Sequence, residues 1–181
     1  MLFEQKTVKL KNGVDCVLRS PVPEDAAEMI ANLKTCAAQT HFILRTPEEC
    51  TETREQEAVY LTGINQSAYD MMIVCIVDGK IAGNSQLNLK RRKKFSHRAS
   101  VGIALERAYW NLGIGTALFE EMIAVAKAHG VMQLELEFIE GNARGRALYE
   151  KMGFRTVSIR PNAVRLEDGT LLHEYFMVKD L

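Results

Sequence analysis

The sequence predicts a mixed α/β domain with its elements in the order ββ-αα-βββ-α-β-α-ββ, and three observations carry that expectation. Asn12-Gly13, Asp78-Gly79 and Asp168-Gly169 each separate two strand-like runs, as hairpin turns do. Ile114, Leu118, Met122 and Val125 recur at intervals of four, four and three, the period of an amphipathic helix. A chain of 181 residues, 47% hydrophobic and 25% charged, suits a single domain. It can bury roughly 70% of its unfolded surface without staples.

Thr7 to Leu10 and Val14 to Arg19 read as the opening hairpin, with Asn12-Gly13 supplying the positive φ angles of the turn. Pro21 and Pro23 stop the second strand, and Glu24-Asp25 starts a helix towards Ala38, since acidic side chains favour a helix amino end. A second helix is expected from Pro47 to about Leu61. Met71 to Val77, rich in β-branched residues, reads as a buried strand that turns at Asp78-Gly79 into Lys80 to Leu89. The basic turn Lys90 to Lys94 leads to a strand from about His97 to Leu105. The long helix follows Gly113 and ends on Gly130. Leu134, Leu136 and Phe138 alternate with Glu135 and Glu137 as a half-buried strand. Ala143 to Met152 is helical, Gly153-Phe154 leaves it, and two strands flank Asp168-Gly169.

The composition excludes disorder and fibrous repeats. Lys plus Arg and Asp plus Glu each count 23, so the net charge is zero, without the basic excess of a nucleic-acid or membrane-surface protein. Cys16, Cys36, Cys50 and Cys75 lie 20, 14 and 25 residues apart, and no pair has the spacing of a zinc site or redox dithiol. None of the four histidines has a partner at metal spacing. The amino terminus lacks a signal-peptide run, and the longest apolar stretch, Met71 to Val77, is too short to span a bilayer. These features lead us to expect a reduced, cytoplasmic protein with no metal, nucleic acid or membrane partner.

Tyr109-Trp-Asn-Leu-Gly-Ile-Gly-Thr116 lies between a strand and an amphipathic helix, so Gly113 and Gly115 fall at a helix amino end. Unpaired N–H groups and a partial positive charge gather there, and glycines let a ligand reach the backbone. The combination makes a phosphate cradle, or an ordinary tight turn. A nucleoside triphosphatase loop needs a Lys after the last glycine, and none follows Gly115. A dinucleotide fold needs a third glycine where Leu118 stands, and an early βαβ unit.

Trp110-Asn-Leu-Gly113-Ile-Gly115 resembles the Gln/Arg-x-x-Gly-x-Gly/Ala signature of the GNAT family of acyl-CoA-dependent N-acetyltransferases, departing at its first position. Asn142-Ala-Arg-Gly-Arg-Ala-Leu-Tyr149-Glu-Lys-Met-Gly153-Phe154 resembles that family's Asn-x-x-Ala-x-x-Leu-Tyr-x-x-x-Gly-Phe, with Gly145 where alanine is usual. The likeness runs from about Met71 to Phe154; the first seventy residues match in pattern only. It implies a single N-acetyltransferase domain over residues 1–181, with a central, mostly antiparallel sheet flanked by helices.

Acetyl-CoA is the cosubstrate that this resemblance implies. Its pantetheine arm would pair with Ile103, Ala104 and Leu105, and its pyrophosphate would sit on the amides of Leu112, Gly113, Ile114, Gly115 and Thr116. Asn142 matches a position that hydrogen-bonds near the thioester or pantetheine, and it equally suits the N-cap of the following helix. Tyr149 matches the family's general acid, and a phenol with a pKa of about 10 is protonated at neutral pH. On spacing alone it is a core tyrosine beside Leu148. The general base stays unassigned: Ala99-Ser100-Val101-Gly102 carries no carboxylate, Glu106 reads as a loop residue, and a water-mediated route stands beside it. No cysteine has a nucleophile's context, which fits direct attack by the amine.

The expected activity is transfer of an acetyl group from acetyl-CoA to a primary amine, of a small molecule or of a peptide. A protein N-terminal acetyltransferase and a non-catalytic CoA-binding sensor are the rivals. Glu48, Glu49, Glu52, Glu55 and Glu57 on the second helix would suit a cationic acceptor. Family members often form dimers, and Arg155 to Val178 offers strands for a homodimer contact.

Overall fold

The turn dipeptides close hairpins by two routes. In a computed structural model describing residues 1–181, Lys6–Lys9 (β1) and Asp15–Arg19 (β2) pair antiparallel. Only Gly13 takes a positive φ there, 83°, and Leu10 N–H bonds Val14 O at 2.9 Å across the turn. Asn12 stays outside the left-handed region, contrary to the expectation for a two-residue turn, because the loop is longer and needs one such residue. At Asp78-Gly79 both residues are left-handed, φ 49° and 75°. This two-residue turn joins Asp70–Val77 (β3) to Lys80–Leu89 (β4).

Ala26–Gln39 (α1) follows a 3-10 turn at Pro23–Asp25. The helix expected from Pro47 to about Leu61 is instead a 3-10 turn, Pro47–Glu49, and a separate helix, Arg54–Gln66 (α2). Thr53 restarts it: its Oγ accepts the Gln56 N–H at 3.2 Å, while Gln56 Oε1 accepts the Thr53 N–H at 2.8 Å. That reciprocal capping box fixes the helix start seven residues after Pro47. The remaining elements fall close to expectation: Arg98–Leu105 (β5), Ile114–Ala128 (α3), Gln133–Ile139 (β6), Ala143–Lys151 (α4), Arg155–Arg165 (β7) and Leu171–Asp180 (β8).

The chain divides into two compact units, Met1–Asn88 with Gly102–Leu118, and Leu89–Val101 with Phe119–Leu181. In the first, the strand order is β1-β2-β3-β4. Ala26 and Met29 of α1 and Leu61 and Ile64 of α2 form a core with Met72, Val74 and Ile81. In the second unit the order is β5-β6-β8-β7, which makes β7 an exposed edge. The β5–β6 pair is parallel, from Arg98↔Gln133 to Ser100↔Glu135, while the β6–β8 and β7–β8 pairs are antiparallel. Mixed α/β architecture, a mostly antiparallel sheet and flanking helices agree with the sequence reading.

Glu135 does not lie on a solvated face as its alternation with Leu134 and Leu136 suggested. It is only 7% exposed, with Lys90 Nζ at 2.6 Å and the Arg98 guanidinium on its other oxygen. Two cations make burial of the carboxylate tolerable. The basic turn is therefore partly anchored: Lys90 and Arg98 bind Glu135, and Arg98 also lies 5.6 Å from the Phe95 ring centre.

Candidate active site

The glycine turn belongs to the first unit, and four contacts there hold the segment that leads into it. Glu106, just past the end of β5, accepts a hydrogen bond from Asn32 Nδ2 of α1 at 2.7 Å. Arg107 N–H donates to Gln39 Oε1 at 2.7 Å, and Lys11 N–H donates to Leu112 O at 3.0 Å. Trp110, at the position where this chain departs from the signature, donates its indole Nε1–H to Leu105 O at 2.7 Å. The aromatic thus closes a loop from the strand end to the turn. It also occupies the Leu105 carbonyl.

Gly113 has φ 98°, a conformation that favours glycine, and α3 starts at the next residue. Ala117 N–H bonds Gly113 O at 3.1 Å as the first turn closes, so the amides of Gly113, Ile114 and Gly115 precede the helix's own acceptors. Upstream, β5 pairs with β6 only as far as Ser100, so Ile103, Ala104 and Leu105 lie outside that ladder. The first unit therefore carries both a strand segment and a helix start suited to an extended ligand with an anionic end.

Asn142 and Tyr149 are in the second unit. Asn142 caps α4: its Oδ1 accepts the Gly145 N–H at 2.9 Å. Tyr149 is buried among aromatic rings, with centroid distances of 5.6 Å to Phe119, 5.8 Å to Phe138 and 6.4 Å to Phe154. Burial pushes its pKa up to about 12. The Tyr-x-x-x-Gly-Phe spacing has a local cause as well. Phe154 N–H bonds Tyr149 O at 2.9 Å and Gly153 N–H bonds Glu150 O at 3.0 Å, with Gly153 at φ 88°. That is a Schellman stop, completed by the contact of the Phe154 and Tyr149 rings.

The sequence reading missed Asn32. It is 2% exposed, donates to Ile81 O at 3.1 Å as well as to Glu106, and lies on the helix face of Met29 and Cys36. A polar residue at positions i+3 and i−4 to buried apolar ones was the available signal. Glu106 is consequently not a free loop carboxylate. All four cysteines are buried, and burial pushes the Cys36 thiol up to about 12. No group of three or more His, Cys, Asp or Glu side chains is placed to hold a metal, and no helix is long and apolar enough to cross a membrane.

Comparison with known proteins identifies the family. The sequence model of the acetyltransferase (GNAT) family matches residues 38–154. The chain belongs to that family. It is 28% identical over 108 residues to the L-amino acid N-acetyltransferase AaaT of Escherichia coli, covering 59% of this chain and 66% of that protein. It is 40% identical over 67 residues to the [ribosomal protein bS18]-alanine N-acetyltransferase of Escherichia coli, covering 37% of this chain and 45% of that one. These matches span less than two thirds of either relative's length. A GNAT-family acetyltransferase structure from Streptococcus pneumoniae superposes with a TM-score of 0.85 at 29% identity, over 92% of this chain and 99% of that one. The Salmonella typhimurium protein yncA, solved with its cofactor acetyl-CoA, shares the fold, with a TM-score of 0.78 at 17% identity over 92% and 94% of the two chains.

Proposed function

We propose that the chain, as one domain over residues 1–181, transfers an acetyl group from acetyl-CoA to a primary amine. The observation that carries this is the glycine turn. In a GNAT chain, a left-handed Gly113 opens α3 downstream of a strand segment that lies outside the β5–β6 ladder. Phosphate oxygens would accept from the amides of Leu112 to Thr116, and the pantetheine would lie along Ile103 to Leu105. The acceptor nitrogen attacks the thioester carbonyl, so that an N–C bond forms, the C–S bond breaks, and the amine's proton is finally carried by the CoA thiol.

Tyr149 is the group we assign to the departing sulfur. With its pKa at about 12, the phenol is neutral across the physiological range. A thiol titrates near about 8.5, so complete proton transfer from the free-state phenol would be uphill by roughly 5 kcal/mol. The hydroxyl therefore acts first as a hydrogen-bond donor to the growing thiolate charge, where a positioned donor in a dry site is most effective. The names of the two relatives support an α-amine as acceptor, one being a free L-amino acid and the other an alanine of a ribosomal protein.

Release of free CoA thiol, measured across L-amino acids, polyamines and peptides with a free N-terminal alanine, tests this reading. Turnover with at least one α-amine is the expected result. Tight CoA binding with no thiol release from any amine would move the chain to the sensor class.

A further inference from the structure

Gly145 replaces the alanine of the family pattern, and the structure gives that departure a consequence. A Cβ built on Gly145 would lie 2.6 Å from Asn142 Nδ2 and 2.8 Å from both its Cγ and Oδ1. All three contacts are with one carboxamide, and each is closer than real Cβ atoms come. The side chain of Asn142 therefore lies where an alanine methyl would be, folded over the first turn of α4. Its Oδ1 faces the Gly145 N–H at 2.9 Å, and because an N–H can only donate, the oxygen end is fixed. Nδ2 makes no hydrogen bond, and the residue is half-buried.

We infer that Gly145 is a positioning residue: it sets the orientation of Asn142 so that this side chain meets the cofactor only as a hydrogen-bond donor. The inference rests on the reading of Asn142 as a cofactor contact. Its chemistry is narrow. With Oδ1 held by the helix cap, Nδ2 can serve a carbonyl oxygen and cannot serve an N–H group. Acetyl-CoA offers two kinds of carbonyl for this, the thioester and the pantetheine amides. An alanine at 145 would force the carboxamide to rotate away, with loss of the cap bond and of the aim of Nδ2. The atoms displaced are the far end of a flexible side chain, so the helix itself would persist, and alanine's better helix propensity would offset the lost cap.

Calorimetric titration with CoA and with acetyl-CoA, on Gly145→Ala, Asn142→Ala and the double variant, is the test. Each single change should weaken binding about three- to tenfold, the worth of one neutral hydrogen bond. The double variant should bind no worse than either single one, since the new methyl then has no carboxamide to displace. A loss confined to acetyl-CoA would identify the thioester carbonyl as the acceptor, and an equal loss with both ligands a pantetheine amide. Asn142→Asp keeps an oxygen for the cap but removes the donor, so it should hold its melting temperature and lose affinity. Wild-type affinity in Gly145→Ala beside a weakened Asn142→Ala would overturn the positioning role and leave the Asn142 reading intact. Additive losses in the double variant, or full affinity in Asn142→Asp, would equally overturn it. Full affinity in Asn142→Ala would remove the cofactor contact and the inference together. Failure of the unmodified protein to bind either ligand would sink the function proposed above.

Discussion

Tyr149 sets two requirements against each other. Its ring fills an aromatic cluster with Phe119, Phe138 and Phe154, yet a tyrosine there also brings a polar hydroxyl into a largely buried place. Phenylalanine keeps the same ring contacts and removes the cost of desolvating the hydroxyl. Tyr149→Phe should accordingly leave stability unchanged or raise it by up to about 1 kcal/mol, a gain of about 2–4 °C in Tm for a chain of this size. Turnover should fall about 10²- to 10⁴-fold, the range for a positioned proton or hydrogen-bond donor. Thermal unfolding and steady-state thiol release on the same preparations check both halves. Lower stability with unchanged turnover would make Tyr149 a core residue only. The raised pKa has its own sign. The neutral phenol is favoured in the folded state, so this contribution is complete below the unfolded value of about 10 and is lost as pH rises through about 12.

At the scale of elements, Gly83 in β4 is where close approach of two backbones demands glycine. A Cβ there would come within 2.2 Å of Ala104 O and 2.8 Å of Leu105 Cα, the stretch of β5 that leads to the glycine turn. Backbone on a paired strand cannot swing aside as the Asn142 side chain can. Gly83→Ala should therefore cost about 2–4 kcal/mol, a Tm fall of about 6–12 °C, with weaker CoA binding as Ala104 and Leu105 shift. Gly63→Ala is the control: in α2, with nothing within 4 Å of the added methyl, it should stabilise by about 0.5–1 kcal/mol. Equal effects from the two substitutions, read by thermal unfolding, would remove the close approach as the cause. The order of all twelve elements was legible because period and turn dipeptides act locally. The start of α2 was readable too, in Thr53 and Gln56, but Pro47 drew the boundary forward. Gly83 gave no such sign. Its partner lies over twenty residues away, and no local pattern encodes that distance.

The same division runs through the whole molecule. Gly113, Gly115, Asn142 and Tyr149 stood out because their spacing is short. The contacts that hold the site's frame, Asn32 to Glu106 and Trp110 to Leu105, and the ions around Glu135 come together only through the fold. Glu135 links that fold to pH. Burial works to raise its pKa, but hydrogen bonds and charge from Lys90 and Arg98 outweigh burial and hold it below the usual carboxylate value. A depressed pKa in the folded state means that the stabilisation is complete above the unfolded value of about 4.5 and is lost as pH falls through the folded one. Stability should thus be nearly flat from pH 7 to about 5.5 and decline below about 4.5. Glu135→Gln keeps the shape and removes the charge, leaving Lys90 and Arg98 facing each other. Breaking a fully buried pair costs about 3–5 kcal/mol, but Lys90 and Arg98 retain 35% and 29% side-chain exposure. Solvent screens them, so about 2 kcal/mol at pH 7 is expected, or about 4–8 °C in Tm. The gap between the two proteins should narrow as pH drops through the depressed folded-state value, where the wild-type carboxyl itself becomes protonated. Urea unfolding followed by circular dichroism at pH 7, 5, 4 and 3 measures it. A gap that stays constant across that range would show that Glu135 contributes through packing, with its charge playing no part.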